Sequence, residues 1–99
     1  MAAMPASPEK HIGDAIFKLF KALGMKERFE ENMALFYWDS TVGKEIARHT
    51  EPMKVNQGIL FVKVDNDAWR NELTFLKHEI IQKLNEKLGK KTIEEIKFY

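Results

Sequence analysis

Apolar residues recur every three or four positions across the N-terminal half, alternate over a short central stretch, and then return to the longer period. Ile12, Ala15, Ile16, Leu19, Phe20 and Leu23 lie at helical spacing. Ser7-Pro8 precedes them: a serine side chain caps free N–H groups, and proline fits the first helical position. Gly24 supplies a stop. A second helix is expected from near Lys26, with Phe29, Met33, Phe36 and Tyr37 as its stripe and early acids that suit the helix dipole. A bend is expected near Trp38, with Asp39 or Ser40 capping a continuation that carries Val42, Ile46 and Ala47. Gly43 would weaken that continuation by about 1 kcal/mol relative to alanine. The expected compensation is close approach of a neighbouring element. Pro52 disfavours helix at Glu51.

The period then changes to two. Met53 and Val55 precede Asn56-Gln57-Gly58, after which Leu60, Val62 and Val64 alternate with Ile59, Phe61 and Lys63. This pattern predicts a β-hairpin. Asp65 to Asp67 ends it and offers a helix cap. Trp69, Leu73, Leu76, Ile80, Leu84 and Leu88 then step by three or four, and Gly89 stops them. Over the closing stretch, Ile96 and Phe98 alternate as in a strand. A third strand is preferred because a two-stranded hairpin alone gives a long amphipathic helix little to pack on. The fold class is α+β, in the order α-α-β-β-α-β, with three helices packed on a three-stranded sheet. Residues 10–99 form one domain behind a short mobile leader, Met1 to Glu9.

Composition narrows the function. The chain has 99 residues, 44% of them hydrophobic. A single domain of this size buries roughly 60–68% of its unfolded surface. It has no cysteine, which removes disulfides and thiolate zinc sites and makes the cytoplasm the default location. Sixteen basic and fifteen acidic side chains leave a net charge of +1, so nucleic-acid binding would have to come from a local patch. No apolar run approaches the roughly 20 residues that span a membrane. Met1 to Glu9 also lacks the apolar core of a secretory signal.

Enzyme chemistry finds no support. His11, His49 and His78 fall in no metal-binding spacing, and there is no nucleophile elbow and no phosphate-cradling glycine loop. No metal, cofactor or small-molecule substrate is expected. His49 falls between a helix and a strand, where it is expected to satisfy backbone groups. Trp69, with Arg70 beside it, is a partner anchor or a stacking platform, or else part of the core line that Leu73 and Leu76 continue. Phe61 and Lys63 share one face of a strand; they could stack a base and hold a phosphate, or Phe61 could pack under a helix. Lys83, Lys87, Lys90 and Lys91 form the main basic cluster. They are either a solvated helix end, where cations are favoured anyway, or a phosphate-contacting patch.

The ordered set Trp38, Val42-Gly43, Ile46-Ala47, His49-Thr50 and Pro52 resembles the first half of the DciA-type domain. Gly58, Leu60, Val62 and Val64 resemble its strand, Ala68-Trp69 with Leu73 its helix start, and Leu84-Asn85 with Leu88-Gly89 its helix end. Ile96-Lys97-Phe98 fits its last strand. The likeness covers about Ile12 to Phe98. That family includes bacterial replicative-helicase loaders. The resemblance implies a KH-like α+β domain, non-specific DNA binding and contact with the replicative helicase. Taken with the lysine cluster and with Phe61 beside Lys63, it leads to the expectation of weak, sequence-tolerant binding of single-stranded nucleic acid. No GxxG loop is present, so nucleic acid would not be clamped as in a standard KH domain. Longer members carry a further tail used in partner contact, without counterpart in these 99 residues, so the expectation rests on the folded domain rather than on helicase loading. The leading expectation is a small non-enzymatic nucleic-acid-associated adaptor in replication. The alternative is a protein-interaction module that touches no nucleic acid.

Overall fold

Helix α1 spans Pro8–Ala22 and ends at Gly24, whose φ of +73° is the left-handed stop the sequence suggests. The computed structural model describes residues 8–99; Ser7, its expected cap, and nearly all of the expected leader lie outside them. Phe17 and Phe20 hold α1 to the next helix, with ring centroids 5.4 and 5.5 Å from Phe29. Among the described residues α1 packs mainly on α2, and Ile16, Leu19 and Leu23 stay exposed.

Helix α2, Lys26–Val42, starts where expected but buries a different line. Ala34 and Trp38, one turn apart, are fully buried, whereas Phe36 is 74% exposed. The helix is apolar over more than one face, so spacing alone allowed two stripes. The expected bend at Trp38 is absent. Ser40 and Thr41 donate to the carbonyl of Tyr37 at 3.2 and 2.7 Å, which satisfies their hydroxyls inside the helix and removes the cap.

The break comes at Gly43, with φ +87° and ψ 164°, before the single turn α3, Lys44–Ala47. This corrects the expected close approach: a β-carbon built on Gly43 would meet no heavy atom within 4 Å. Glycine stands there for its backbone angles, in a region essentially closed to other residues.

Strands β1, Thr50–Asn56, and β2, Ile59–Val64, pair antiparallel. Gln57 and Gly58, both at positive φ, make the two-residue turn whose twist matches a hairpin. β1 begins earlier than Met53 and takes in Pro52, which an edge strand tolerates. Helix α4, Asp67–Leu88, opens on Asn66, whose side chain accepts from the Trp69 N–H at 2.8 Å, and closes on Gly89 at φ +80°. Strand β3, Glu95–Phe98, lies parallel to β2, giving the sheet order β1-β2-β3. Asn85 shapes the return from α4, bonding the backbone of Thr92 and Ile93.

Helices α2 and α4 cover one face of the sheet. Trp38, Leu60, Leu73, Leu84, Ile93 and Ile96 form the fully buried centre. The expected element order holds, with α3 added. No described helix is long and apolar enough to cross a membrane.

Candidate nucleic-acid interface

Alternation along β2 sends Leu60, Val62 and Val64 into the core and Ile59, Phe61 and Lys63 to the opposite face. Phe61 sits on the middle strand, with Lys54 of β1 opposite it on one side and Lys97 of β3 on the other. The Lys54 ammonium lies 5.1 Å from the Phe61 ring centroid. Tyr99 continues β3, donating its N–H to Val62 and accepting from Val64, which sets it beside Lys63 on the open face. Among the described residues, none of Lys54, Lys63 and Lys97 forms an ion pair.

The two-residue turn sets Lys54 opposite Phe61, and a bulge lies beside it in β1. The register runs Pro52 to Val62 and then Lys54 to Phe61, with Met53 left over. Without the bulge, the register set at the turn would carry on to place Glu51 opposite Val64 on the core side; with it, Thr50 takes that position and Glu51 lies beside Lys63.

A shallow depression on this side is lined by Lys54, Phe61, Lys77, Glu95, Lys97 and Tyr99. A second, lined by Arg28, Asn32, Lys54 and Asn56, adjoins it and shares Lys54. Glu95 is the acid of the first. Its carboxylate accepts from the Ile96 N–H at 2.8 Å and pairs with Lys77 at 3.3 Å. The backbone bond first, and then Lys77, hold its pKa below the usual carboxylate value of 4.5 against an opposing effect of burial. A depressed pKa contributes stability that is present above the unfolded value and lost as pH falls through the folded one. Glu95→Gln should therefore flatten the acid limb. In urea titrations from pH 7 into the acid range below the unfolded value, the native protein should lose somewhat more stability than the variant, by under about 1 kcal/mol for so exposed a pair.

The lysine cluster lies elsewhere. Lys83 pairs with Glu79 at 3.6 Å, Lys90 pairs with Glu30, and Lys87 donates to Ser40 at 2.9 Å. Lys90 and Lys91 line a separate depression, walled by Glu27, Glu30, Glu31 and Glu94. The structure thus brings Phe61 and Lys63 together with Lys54 and Lys97, and sets Lys83, Lys87, Lys90 and Lys91 apart among acids and a serine.

Trp69 is half-buried against the core and stacks on His49, with centroids 5.0 Å apart and planes at 22°. Arg70 pairs with Asp67 and reaches the carbonyl of Val64. His49 differs from expectation: its Nδ1 lies 3.0 Å from the Asp65 carboxylate, so its side chain serves a carboxylate rather than backbone groups. The Asp65 N–H donates to the His49 carbonyl, and the two contacts tie the ends of the hairpin together. Among the described residues no group of three or more His, Asp or Glu could hold a metal.

Sequence reasoning missed Lys54, Lys97, Tyr99 and Arg28. Lys97 and Tyr99 carried a signal, since both alternate with Ile96 and Phe98. Lys54 carried one too, since it alternates with Val55 and the two-residue turn sets it opposite Phe61.

The family profile described as "Dna[CI] antecedent, DciA" matches residues 11–98. The chain belongs to the DciA family. It is 30% identical over 86 residues to a UPF0232 protein of Mycobacterium tuberculosis H37Rv, covering 87% of this chain and 46% of that protein. A UPF0232 protein of Mycolicibacterium smegmatis is 27% identical, covering 87% of this chain and 44% of its own length. One from Rhodococcus jostii is 29% identical over 78% of this chain and 41% of its own length. The DciA domain here thus spans less than half the length of these relatives.

Proposed function

We propose that this DciA domain is a non-enzymatic adaptor in DNA replication that binds single-stranded nucleic acid on the open face of its sheet. One observation carries the reading: an aromatic ring at the centre of an uncovered sheet, flanked by unpaired lysines on both neighbouring strands. Aromatic side chains stack bases of any identity, and lysines track the phosphates. An exposed ammonium on a ring is worth about 0.5–1 kcal/mol. A stacked base is worth about 1–3 kcal/mol. The base therefore displaces Lys54 from Phe61, and the freed ammonium is placed to meet a phosphate. A family linked to the replicative helicase supports that helicase as protein partner. The exposed Ile16 and Leu19 on α1, and Leu23 just after it, support a protein contact beside the nucleic-acid one.

Fluorescence anisotropy with labelled single-stranded oligonucleotides at two salt concentrations tests it. Phe61→Ala should weaken binding by about 1–3 kcal/mol with little change in salt slope. Lys63→Glu should weaken binding to all sequences alike and reduce the log–log slope by roughly 0.7 or more. Lys91→Glu, set among acids, should change little. Absence of binding at low salt by the folded protein overturns the proposal and leaves the protein-interaction module.

A further inference from the structure

The charges on the open face are not scattered evenly. Glu51 pairs in register with Lys63, and so occupies the β1 corner at that level. Glu95 pairs in register with Ile59, and so occupies the opposite corner, on β3. The other diagonal meets no acid: Asn56 on β1, Phe61 on β2 and Tyr99 just past the end of β3, with Lys54 directly beside Phe61. Arg28 extends it beyond the β1 edge, in the depression it lines with Lys54 and Asn56. Lys97 and Lys63 flank it, the first beside Phe61 and the second beside Tyr99.

We propose that a single strand follows this diagonal from Arg28 to Tyr99, stacking successive bases on Phe61 and Tyr99, and that the same geometry rejects duplex. The inference rests on the nucleic-acid reading above and adds a path, a second stacking residue and a strand preference to it. Diagonal neighbours on adjacent strands lie roughly 7–8 Å apart. Bases in a duplex rise by only about 3.4 Å per step and keep their faces inside the stack. Two bases on rings at the wider spacing must be splayed apart, which a single strand allows. The phosphate between them falls between Lys97 and Lys63. Neighbouring phosphates at the β1 side meet Lys54 and Arg28. Glu51 and Glu95 repel any path along the other diagonal.

Tyr99 enters the sheet through its backbone while its side chain is half exposed, so removal of the ring leaves the ladder intact. The test is a set of anisotropy titrations of the same labelled 12-mer, single-stranded or annealed to its complement, at low salt. The native protein should bind the single strand at least about tenfold more tightly than the duplex. Tyr99→Ala should weaken single-strand binding by about 5- to 150-fold, as a lost base stack does, and Tyr99→Phe should restore it. Arg28→Glu should weaken binding, and Glu51→Gln should leave it unchanged or slightly tighter. Binding that falls with Phe61→Ala but ignores Tyr99→Ala, or duplex held as tightly as single strand, overturns the diagonal and leaves the broader reading standing. Failure to bind either form overturns both.

Discussion

Trp38→Ala should lower the stability of the domain by about 3–5 kcal/mol, the range for removing a fully buried large aromatic. Trp38 has no exposed surface and lies against Phe98, with centroids 6.4 Å apart. Its indole N–H donates to the Thr50 hydroxyl at 2.8 Å, and that hydroxyl donates to the Ile46 carbonyl at 2.9 Å. The residue thus joins α2, the end of α3, the start of β1 and, through Phe98, β3. A domain of this size loses roughly 4–8 °C per kcal/mol, so the melting temperature should fall by about 12–40 °C. Trp38→Phe keeps most of the buried surface and leaves Thr50 its bond to Ile46, so it should cost about 1–3 kcal/mol. Paired thermal and urea melts decide it. Equal losses in the two variants would place the contribution of Trp38 in the hydrogen bond rather than in the packing.

The second large effect is at Gly43, and its sign is informative. If Gly43 were an ordinary helix residue, Gly43→Ala would stabilise the domain by about 1 kcal/mol. Its angles of +87° and 164° instead predict a loss of about 1–3 kcal/mol for Gly43→Ala. No atom lies near a built β-carbon, so Gly43→Leu should lose nearly the same amount, within about 0.5 kcal/mol of the alanine variant. Urea midpoints for the two variants separate the explanations. A leucine variant far worse than the alanine one would restore close packing as the reason for glycine, and a stabilised alanine variant would show that the break is not required.

The element order was legible in the chain because each signal was local. The α4 pattern from Trp69 to Leu88, the Asn66 cap and the Gly89 stop depend only on residues within a turn or two of one another. The hairpin turn is likewise set by Gln57 and Gly58, which supply two positive φ values in succession. Even β3, the shortest strand, was recoverable from the alternation of Ile96 and Phe98 and from the need of a long helix for a surface to cover.

Helix faces and charge were less legible. α2 has apolar residues on several sides, and the buried line through Ala34 and Trp38 was chosen by what approached it, namely α4 and the sheet. The lysines near the end of α4 form a basic cluster in one dimension only. Folding sets Glu30, from a helix far away in sequence, against Lys90, and surrounds Lys91 with acids.

By itself, then, the sequence determined the family, the order of helices and strands, and the placing of Phe61 and Lys63 on one face of a strand, since those follow from short-range periodicity and caps. Only the tertiary structure decided which charges are available and what stands beside Phe61. A single unpaired residue at Met53 brings Glu51 to the open face and Thr50 to the core side, and the parallel pairing of β3 brings Lys97 and Tyr99 to the far side of Phe61 and Lys63. Strand register is a long-range property, because a slip of one residue reverses every side chain and no local residue type records it.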